Sequence, residues 1–410
     1  MFIYNYNKMS KIIDLIQKET TRQANTIRLI ASENYASADI LTALGSSLTN
    51  KYSEGYPQHR YYEGQEFIDQ IELYAIENAK KLFKAKFANV QAYSGSPANL
   101  AVYLALLQPN DTILGLALSS GGHLTHGHKV SISGKWLNSI SYGLTPEGDI
   151  NYDEIEKLAQ EHNPKLIISG HSAYPKQVDF QRIGDIAKSV GAYHLADISH
   201  ISGLVATGLH PHPFPYADII TTTTHKILRG PRGALILSND SEIAQKIDKA
   251  VFPGLQGGPH NNNIAGIAIA LEEALKPEYT EYCQQVIKNA KSLADALQSK
   301  GFNIVSGGTE NHLLLLDLRN KGIDGDTLSK GLNKVNIETN KNTIPFDTAS
   351  PFRPNGVRLG TPAVTTLGLK EQDMETIADF ISQVVDNIDN PTQLDQIKNQ
   401  VITFINQFKL

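Results

Sequence analysis

Short apolar runs alternate with helical patterns through the middle of the sequence. The runs predict buried strands at 88–92, 112–116, 165–169, 193–197, 219–223 and 234–237. Between them, apolar residues at helical spacing predict helices near 96–108, 152–162 and 180–190. Strands and helices that alternate in this way form a mainly parallel sheet with helices on both faces. Such a sheet binds ligands beyond the carboxyl ends of its strands.

The two ends of the sequence show other patterns. Residues 10–25 predict an amphipathic helix, and a second helix is expected near 67–84. One side of the first helix carries four apolar residues: Ile12, Ile13, Leu15 and Ile16. After a change of pattern at 276–282, the sequence predicts a long helix, a strand at 313–318, and helices near 326–334, 370–386 and 392–408.

These patterns divide the chain into three parts. We predict an N-terminal arm and helix at 1–30, a large domain at 31–275 and a smaller C-terminal α+β domain at 276–410. Within the first part, residues 1–8 are expected to form an irregular extension.

Composition narrows the class of protein. The 410 residues are 41% hydrophobic and 19% charged, which is typical of a folded chain with a large core. Lys and Arg number 37 against 42 Asp and Glu, so nucleic acid is not expected as the main partner. The single cysteine, Cys283, predicts a reducing compartment, most simply the cytoplasm. No apolar stretch reaches the roughly 18 residues of a membrane-spanning helix, and the N-terminus lacks a signal-peptide pattern, so no membrane association is expected.

Three groups of residues lie where a parallel sheet binds ligands. Ser94-Gly95-Ser96 follows a strand and opens a helix, where free N–H groups and hydroxyls favour a phosphate. Asp197 ends an apolar strand, and Lys226 emerges from the threonine-rich end of another, where burial favours the neutral amine. Each has an ordinary alternative: helix or turn caps for the first two, and a salt-bridged lysine for the third. Together they match the contacts that pyridoxal phosphate needs at its phosphate, pyridinium nitrogen and aldehyde carbon.

The histidine-rich segment HLTHGH at 123–128 also suits a metal site. Its spacing is loose and no carboxylate lies nearby, so we expect no metal there. A histidine stacked on a pyridine ring fits this loop better. The sequence contains neither a Walker A loop nor a strand-linked G-x-G-x-x-G.

Further motifs extend along nearly the whole chain after residue 10. They are LIASEN at 29–34, NKYSEGYP at 50–57, GGHLTHG at 121–127, TTTTHK at 221–226, FPGLQGGP at 252–259, SGGT at 306–309 and RLGTP at 358–362. This set resembles the serine hydroxymethyltransferase family. The resemblance implies an α/β, aspartate-aminotransferase-like fold (fold type I), with a mainly parallel-sheet large domain and a smaller α+β domain.

The resemblance also implies roles toward pyridoxal phosphate. Lys226 would form the Schiff base with the cofactor, Asp197 would pair with the ring nitrogen, and His123 would stack on the ring. His200 would lie near the ring oxygen, and Thr223 would also contact the cofactor. The phosphate would be held by Ser94, Gly95 and Ser96, with Tyr52 and Gly258 supplied by the neighbouring subunit. The implied catalytic residues are Lys226, Glu54, His123, Asp197 and His225.

On the substrate side, the resemblance implies that Arg358 binds the amino acid carboxylate, assisted by Ser32. Glu54 would move protons at the substrate hydroxyl and the folate, with Tyr61 and Tyr62 beside it. The tetrahydrofolate-binding positions would be Leu118, Gly122, Leu124, Asn342, Ser350, Pro351 and Phe352.

Three places depart from the family pattern. Glu63 stands where the family usually has glycine, Ser199 replaces an alanine, and Ser119-Ser120 precedes the Gly-Gly-His segment. Glu63 matters most, because a side chain there would be strained if the family's glycine used a positive φ, and it bears on folate affinity.

The expected activity is the reversible conversion of L-serine and tetrahydrofolate to glycine and 5,10-methylenetetrahydrofolate by a homo-oligomer, at least a dimer. One alternative is a folate-independent pyridoxal-phosphate aldolase for β-hydroxy amino acids such as threonine. The folate-matching residues argue against it: Glu54, Tyr62, Leu124 and Asn342. Another alternative is a non-catalytic binding paralogue, including one that contacts RNA, against which the presence of Lys226 argues.

Overall fold

The structure, a computed structural model, describes residues 10–408. Its α-helices are, in chain order, α1 Lys11–Ala24, α2 Ala38–Leu44, α3 Glu66–Phe83, α4 Gly95–Leu106, α5 Ile132–Trp136, α6 Tyr152–His162, α7 Phe180–Ser189, α8 Ser202–Ala206, α9 Ser241–Lys249, α10 Asn261–Ala274, α11 Pro277–Ser299, α12 Gly325–Lys334, α13 Pro362–Thr366, α14 Glu371–Asp386 and α15 Pro391–Ile405. Its strands are β1 Ile27–Arg28, β2 Gly55–Tyr56, β3 His59–Arg60, β4 Phe87–Asn89, β5 Thr112–Leu116, β6 Asn138–Tyr142, β7 Leu166–Gly170, β8 Tyr193–Asp197, β9 Ile219–Thr223, β10 Ala234–Ser238, β11 Asn303–Ile304, β12 Leu313–Asp317, β13 Ile337–Glu338, β14 Asn340–Asn342 and β15 Gly356–Gly360. The irregular extension predicted for residues 1–8 lies outside the described residues.

The large sheet has the strand order β4-β10-β9-β8-β7-β5-β6. Its strands run parallel except β10, which pairs antiparallel with both neighbours. The strand predicted at 88–92 ends earlier, at Asn89, because the Asn89 side chain accepts a hydrogen bond from the Gln91 N–H (3.0 Å) and turns the chain. Strand β6 was not predicted, since its sequence NSISY forms a half-exposed edge strand and not an apolar run.

Both faces of the large sheet are buried by helices. Successive residues of a strand enter different cores: Leu114 packs into one apolar cluster with α3, α6 and α7, and Ile113 into another with α4 and α9. This two-sided burial explains why the central strands read as continuous apolar runs.

The C-terminal part holds an antiparallel sheet of order β11-β12-β15-β14. A third apolar cluster packs this sheet against α11, α12, α14 and α15. The expected α/β fold, with a mainly parallel large sheet and a smaller α+β unit, is confirmed. The division at residue 276 stays a prediction.

Helix α11 begins at Pro277, so the change of pattern at 276–282 includes its first turn. Its residues contribute to the cores of both sheets, Cys283 to the first and Leu293 to the C-terminal one. Cys283 is fully buried and has no disulfide partner.

Helix α1 has the predicted bounds to within a residue, but its apolar side faces outward. Its four apolar residues are between 42% and 61% exposed, and none of its residues is buried. An ion pair from Arg22 to Glu338 ties its end to β13, with which β1 pairs. Among the described helices, none is long and apolar enough to cross a membrane.

Candidate active site

The carboxyl ends of parallel strands β9, β8, β7 and β5 meet at one edge of the large sheet. Asp197 ends β8, Lys226 follows β9, and His123 lies in the loop after β5. The start of α4 approaches the same edge so closely that a Cβ on Gly95 would lie 2.6 Å from Thr223 Cγ2. The fold therefore gathers at one edge the residues that the sequence placed at separate strand ends.

Asp197 is a buried carboxylate with four hydrogen-bond donors. Its Oδ2 accepts from Asn99 Nδ2 (2.9 Å) and His126 Nε2 (3.0 Å). Its Oδ1 accepts from the N–H (3.1 Å) and the hydroxyl (2.6 Å) of Ser199. Burial acts to raise the pKa of Asp197, but the hydrogen bonds and the neighbouring histidines outweigh it and hold the pKa well below its usual range. The group is therefore a permanent anion at neutral pH.

His123 is joined to this network through a threonine. Its Nδ1 accepts from the Thr125 N–H (3.2 Å) and lies 2.8 Å from Thr125 Oγ1, which in turn accepts from Asn99 Nδ2 (2.9 Å). Burial lowers the pKa of His123 to about 4. The ring is therefore neutral at pH 7, with its proton on Nε2, and suits stacking on a planar heterocycle.

The first turn of α4 forms a cup of unpaired donors. The N–H groups of Gly95 and Ser96 and the hydroxyls of Ser94 and Ser96 have no hydrogen-bond partner among residues 10–408. They lie at the positive end of the helix dipole. Unpaired N–H groups and hydroxyls at a helix start are the donors that a phosphate needs.

Lys226 is only 9% exposed, and its Nζ has no ion-pair or hydrogen-bond partner among the described residues. The alternative that Lys226 forms a salt bridge is therefore wrong for the described chain. Burial lowers the pKa of Lys226 to about 8, against the opposing charge of Asp197. The backbone at this position is held by Asn34, whose Nδ2 donates to the Lys226 carbonyl (3.1 Å) and to Tyr282 Oη (2.8 Å).

Arg358, on β15, is a second buried cation without a carboxylate partner in the described chain. Its Nε donates to Asn340 Oδ1 (3.0 Å) and its Nη1 donates to the Ser172 carbonyl. Burial lowers the pKa of Arg358 to about 10. A buried cation without an anion is costly, so this position suits the anionic group of a ligand.

Ser32 lies close to β15, the strand that carries Arg358. A Cβ on Gly360 would lie 2.5 Å from Ala31 Cα, so the chain just before Ser32 is pressed against the end of β15. Ser32 is half-buried there, and its hydroxyl has no hydrogen-bond partner among the residues described.

His200 and His225 flank this region as neutral rings. His200 Nδ1 lies 3.2 Å from His312 Nε2, and burial places the pKa of His200 well below its usual range. His225 Nε2 accepts from Arg232 Nη1 (3.1 Å), and burial lowers the pKa of His225 to about 3. Neither ring carries a charge at neutral pH.

A second group of predicted residues assembles elsewhere in the chain. Glu54 accepts hydrogen bonds from Tyr52 Oη (3.3 Å) and Tyr62 Oη (3.4 Å), and the two tyrosine rings meet edge-on at 5.3 Å. A Cβ on Gly258 would lie 3.2 Å from the Tyr52 ring, and the Gly258 carbonyl accepts from Tyr93 Oη (2.7 Å). No hydrogen bond or ion pair within residues 10–408 joins this Glu54 group to Lys226, Asp197 or Arg358.

Three of the seven predicted folate positions line a cleft of about 450 Å³ between the two sheets. Leu118, Asn342 and Pro351 line it together with His123. Ser350 and Phe352 flank Pro351 and are exposed, Phe352 by 81%. Gly122 and Leu124 do not line the cleft. A Cβ on Gly122 would meet the Leu116 carbonyl oxygen at 2.0 Å, and Leu124 is 45% exposed.

The unusual Glu63 causes no backbone strain. The left-handed conformation in this turn belongs to Gly64, at φ +75°, and Glu63 lies outside that region. The Glu63 carbonyl accepts a hydrogen bond from Lys51 Nζ (2.7 Å), and its side chain is exposed.

Sequence reasoning missed four residues that shape the site: Asn34, Asn99, His126 and His312. Asn34 and His126 lay within the quoted motifs, so only their roles were missed. Asn99 and His312 gave no signal, because their partners are distant in sequence and meet only in the folded chain. Within the described residues, no three histidine, cysteine or acidic side chains stand together in a way that could hold a metal ion.

The residues present fit pyridoxal phosphate. The unpaired donors at the start of α4 suit its phosphate, the charged Asp197 suits a protonated ring nitrogen, and the buried, unpaired Lys226 suits its aldehyde carbon. Gly95 lets the phosphate cup lie directly against Thr223, close to Lys226 in sequence. The unpaired Arg358 adds a position for a carboxylate.

Comparisons with known proteins show which family the chain belongs to. A family model described as serine hydroxymethyltransferase matches residues 6–381. A serine hydroxymethyltransferase of Desulfotalea psychrophila is 56% identical over 398 residues, covering 97% of this chain and 93% of that protein. One of Rickettsia canadensis is 55% identical over 409 residues, covering 99% of this chain and 97% of that protein. The chain belongs to the serine hydroxymethyltransferase family.

Proposed function

We propose that this chain transfers the hydroxymethyl carbon of L-serine to tetrahydrofolate, giving glycine and 5,10-methylenetetrahydrofolate, at the strand edge that carries Lys226. The observation that carries the proposal is a pair of buried cations, Lys226 and Arg358, neither of which has a carboxylate partner among residues 10–408, in a chain of this family. One suits the cofactor and the other suits the amino acid. When bound, pyridoxal phosphate supplies an electron sink for the charge left at Cα of the amino acid.

Asp197, His123 and Lys226 hold the ring of the cofactor in this proposal. Asp197 keeps its negative charge at all relevant pH values and so keeps the ring nitrogen protonated. His123 stacks on the ring as a neutral imidazole, and His200 and Thr223 contact its remaining edge. Lys226, with a pKa near 8, has enough neutral amine at pH 7–8 to bind the aldehyde carbon covalently.

The phosphate is held by Ser94, Gly95 and Ser96, whose N–H and hydroxyl donors have no partner in the part of the chain that the structure describes. His225 is adjacent to Lys226 and is neutral. It accepts a hydrogen bond from Arg232 and so keeps the Arg232 guanidinium beside the site without adding a charge of its own.

Arg358 holds the carboxylate of serine through two parallel hydrogen bonds, with the Ser32 hydroxyl beside it. Its present partners, an amide oxygen and a carbonyl oxygen, are neutral, so the substrate supplies the missing negative charge.

Glu54 and Tyr62 act on that hydroxymethyl group, and Tyr52 and Gly258 contact the cofactor phosphate. Because no hydrogen bond or ion pair within residues 10–408 joins the Glu54 group to Lys226, we assign this group to the active site of a second copy. The enzyme is then a homo-oligomer, at least a dimer, whose sites each use two chains. The outward apolar side of α1 supports an assembly of this kind.

Tetrahydrofolate occupies the cleft between the sheets. Its position is assigned to the residues in and around that cleft: Leu118, Gly122, Leu124, Asn342, Ser350, Pro351 and Phe352. The exposed Phe352 and Leu124 offer apolar surface to a pterin or aminobenzoyl ring.

We also propose that the enzyme acts in the cytoplasm. The basis is its single cysteine, which is buried and unpaired, as is usual in a reducing compartment. Fractionation of the source cells with an antibody to the chain tests this assignment.

The experiment that tests the function compares serine cleavage with and without tetrahydrofolate in the pyridoxal-phosphate-loaded enzyme. We expect formation of glycine from serine to depend strongly on tetrahydrofolate. Equal rates with and without folate, together with rapid cleavage of threonine, would instead identify the folate-independent aldolase. No absorbance from bound cofactor would identify the non-catalytic paralogue.

A further inference from the structure

Ser199 is a buried residue, 7% exposed, that follows Asp197 by one position beyond Ile198. Its hydroxyl donates to Asp197 Oδ1 over 2.6 Å, and its own N–H donates to the same oxygen over 3.1 Å. The hydroxyl oxygen in turn accepts from the Thr223 N–H (3.1 Å). Ser199 therefore bridges the end of β8 to the end of β9.

The bridge fixes the direction of the serine proton. A hydroxyl has one proton, and here the Thr223 N–H occupies the oxygen as an acceptor, so the proton points to Asp197. The distance of 2.6 Å is that of a short hydrogen bond to a charged oxygen. An alanine at this position could neither donate to Asp197 nor accept from Thr223.

The two strands that Ser199 joins carry the two ends of the cofactor site. Asp197 ends β8, while Thr223 ends β9 and leads into Lys226. Thr223 also packs against Gly95 at the start of α4, so the same strand end touches the phosphate cup. The Ser199 hydroxyl thus adds a direct link between the carboxylate and the strand end that carries the cup and the lysine.

We propose that Ser199 is a positioning residue for Asp197. Its hydroxyl orients the carboxylate and, by donating to Oδ1, reduces how strongly that carboxylate accepts a hydrogen bond from the ring nitrogen of bound pyridoxal phosphate. This inference rests on the proposed function. Without the hydroxyl, Oδ1 keeps one donor and Asp197 becomes a stronger acceptor, which draws the ring proton toward itself. The Thr223 N–H also loses its acceptor, which loosens the strand end.

The test compares Ser199→Ala, Ser199→Cys and Ser199→Thr with the wild-type holoenzyme. Cysteine has nearly the size of serine but is a weak donor, and threonine keeps the hydroxyl. The matched control is Ser202→Ala, because Ser202 is a fully buried serine whose hydroxyl has no partner among the described residues. Two quantities are measured: the dissociation constant of pyridoxal phosphate and the ¹⁵N chemical shift of ring-labelled cofactor. The melting temperature of each cofactor-free variant is recorded beside them.

We expect Ser199→Ala to raise the dissociation constant about tenfold, or about 1.4 kcal/mol, because the loosened strand end no longer fixes Asp197 relative to the phosphate cup, and this loss outweighs the stronger acceptor. The ¹⁵N signal should move toward the value of unprotonated pyridine, with Ser199→Cys intermediate and Ser199→Thr closer to wild type. Ser202→Ala should change neither quantity. A lowered melting temperature with an unmoved ¹⁵N signal would overturn the proposal in favour of a purely structural role.

An unchanged dissociation constant and signal in folded Ser199→Ala and Ser199→Cys would overturn it as well. Failure of the proposed function is a separate result, since it would appear as no cofactor binding by the wild-type chain. In that case both the proposed function and the proposed role of Ser199 would be contradicted.

Discussion

Lys226 and Arg358 show at the residue scale how burial without a partner marks a ligand site. Both are less than a tenth exposed, and both have pKa values lowered by burial, to about 8 and about 10. A cation kept in such a place for stability alone would be paired with a carboxylate. Their missing anions are therefore expected from the ligands.

Replacing Lys226 with alanine should abolish multiple turnover and leave the chain folded. The phosphate cup and Asp197 remain, so pyridoxal phosphate should still bind, although more weakly. Borohydride reduction of the wild-type holoenzyme followed by peptide mapping should place the label on Lys226. A label on any other lysine would contradict the assignment.

Arg358→Lys should not act as a conservative change. Lysine offers a point charge instead of a planar fork, so one of two parallel hydrogen bonds to the carboxylate is lost. The expected cost is about 2–5 kcal/mol. Serine kcat/KM should therefore fall by about 30-fold to several-thousand-fold.

The matched control is Arg353→Lys, since Arg353 is an exposed residue of the same part of the chain and pairs with Asp324 (2.7 Å). It should change kcat/KM little, and the cofactor absorbance should stay near wild type in both variants. An Arg358→Lys enzyme with unchanged kcat/KM would mean that the carboxylate is held elsewhere.

At the scale of elements, helix α4 delivers its N-terminus to the site only because it begins with glycine. A Cβ on Gly95 would lie 2.6 Å from Thr223 Cγ2, closer than carbon atoms approach without displacement. Alanine is otherwise the better residue for a helix. Glycine at this position thus lowers the local stability of α4 but allows the helix to approach β9 closely.

Gly95→Ala should therefore weaken binding of pyridoxal phosphate at least tenfold, although alanine favours the helix. Gly45→Ala is the control, because that glycine ends α2 with ordinary space around it, its Cβ lying 3.6 Å from the Leu41 carbonyl oxygen. Equilibrium dialysis of the cofactor measures both. Equal affinities in Gly95→Ala and wild type would show that the helix start does not hold the phosphate.

The sequence predicted best the elements that are buried on both faces. Strands β5, β8 and β9 have the predicted bounds, because two-sided burial demands continuous apolar residues. Strand β6 and the short strands β13 and β14 were not predicted, because a half-exposed edge strand does not need a continuous run of apolar residues.

The candidate site was readable where one residue's chemistry is distinctive. Lys226, Asp197 and the small residues at 94–96 could be singled out from strand-end position and residue type. The hydrogen bonds of Asn99, Ser199 and His312 could not, because each joins residues from different elements. Their geometry depends on how helices and sheets pack, which local patterns do not encode.

On the scale of the whole molecule, the predicted site residues fall into two separate groups, one around Lys226 and one around Glu54. Mixing Lys226→Ala chains with Tyr52→Ala chains should restore activity, provided that subunits exchange. In a mixed dimer, one of the two sites receives intact residues from both chains. Neither variant alone should be active, and a fully active monomer in sedimentation would contradict the two-chain site.

Stability should fall in acid because several histidines are buried as neutral rings. Burial lowers the pKa values of His171, His194 and His210 to about 3, 4 and 4, against about 6.5 in an unfolded chain. Between these values the unfolded chain binds protons that the folded chain does not. The free energy of unfolding should therefore decrease from pH 7 to pH 4, by about 1.4 kcal/mol per pH unit for each such proton.

His171 offers a test, since neither of its ring nitrogens has a partner among the described residues. His171→Phe should raise the melting temperature more at pH 5 than at pH 8. His194→Phe is the contrast, because it would strand the Ser169 hydroxyl that now pairs with His194 Nε2 (2.7 Å). A pH-independent effect of His171→Phe would show that this histidine does not contribute to acid unfolding.

The single thiol of the chain has a consequence for how its opening can be followed. Cys283 is fully buried in α11, the helix that enters both cores, and burial raises its pKa to about 12. Only a thiolate reacts quickly with alkylating reagents. Alkylation of the native chain therefore requires α11 to separate from its neighbours. The fraction of chains that gain the mass of one alkyl group therefore reports the fraction that have opened, and its increase with time gives the rate of opening.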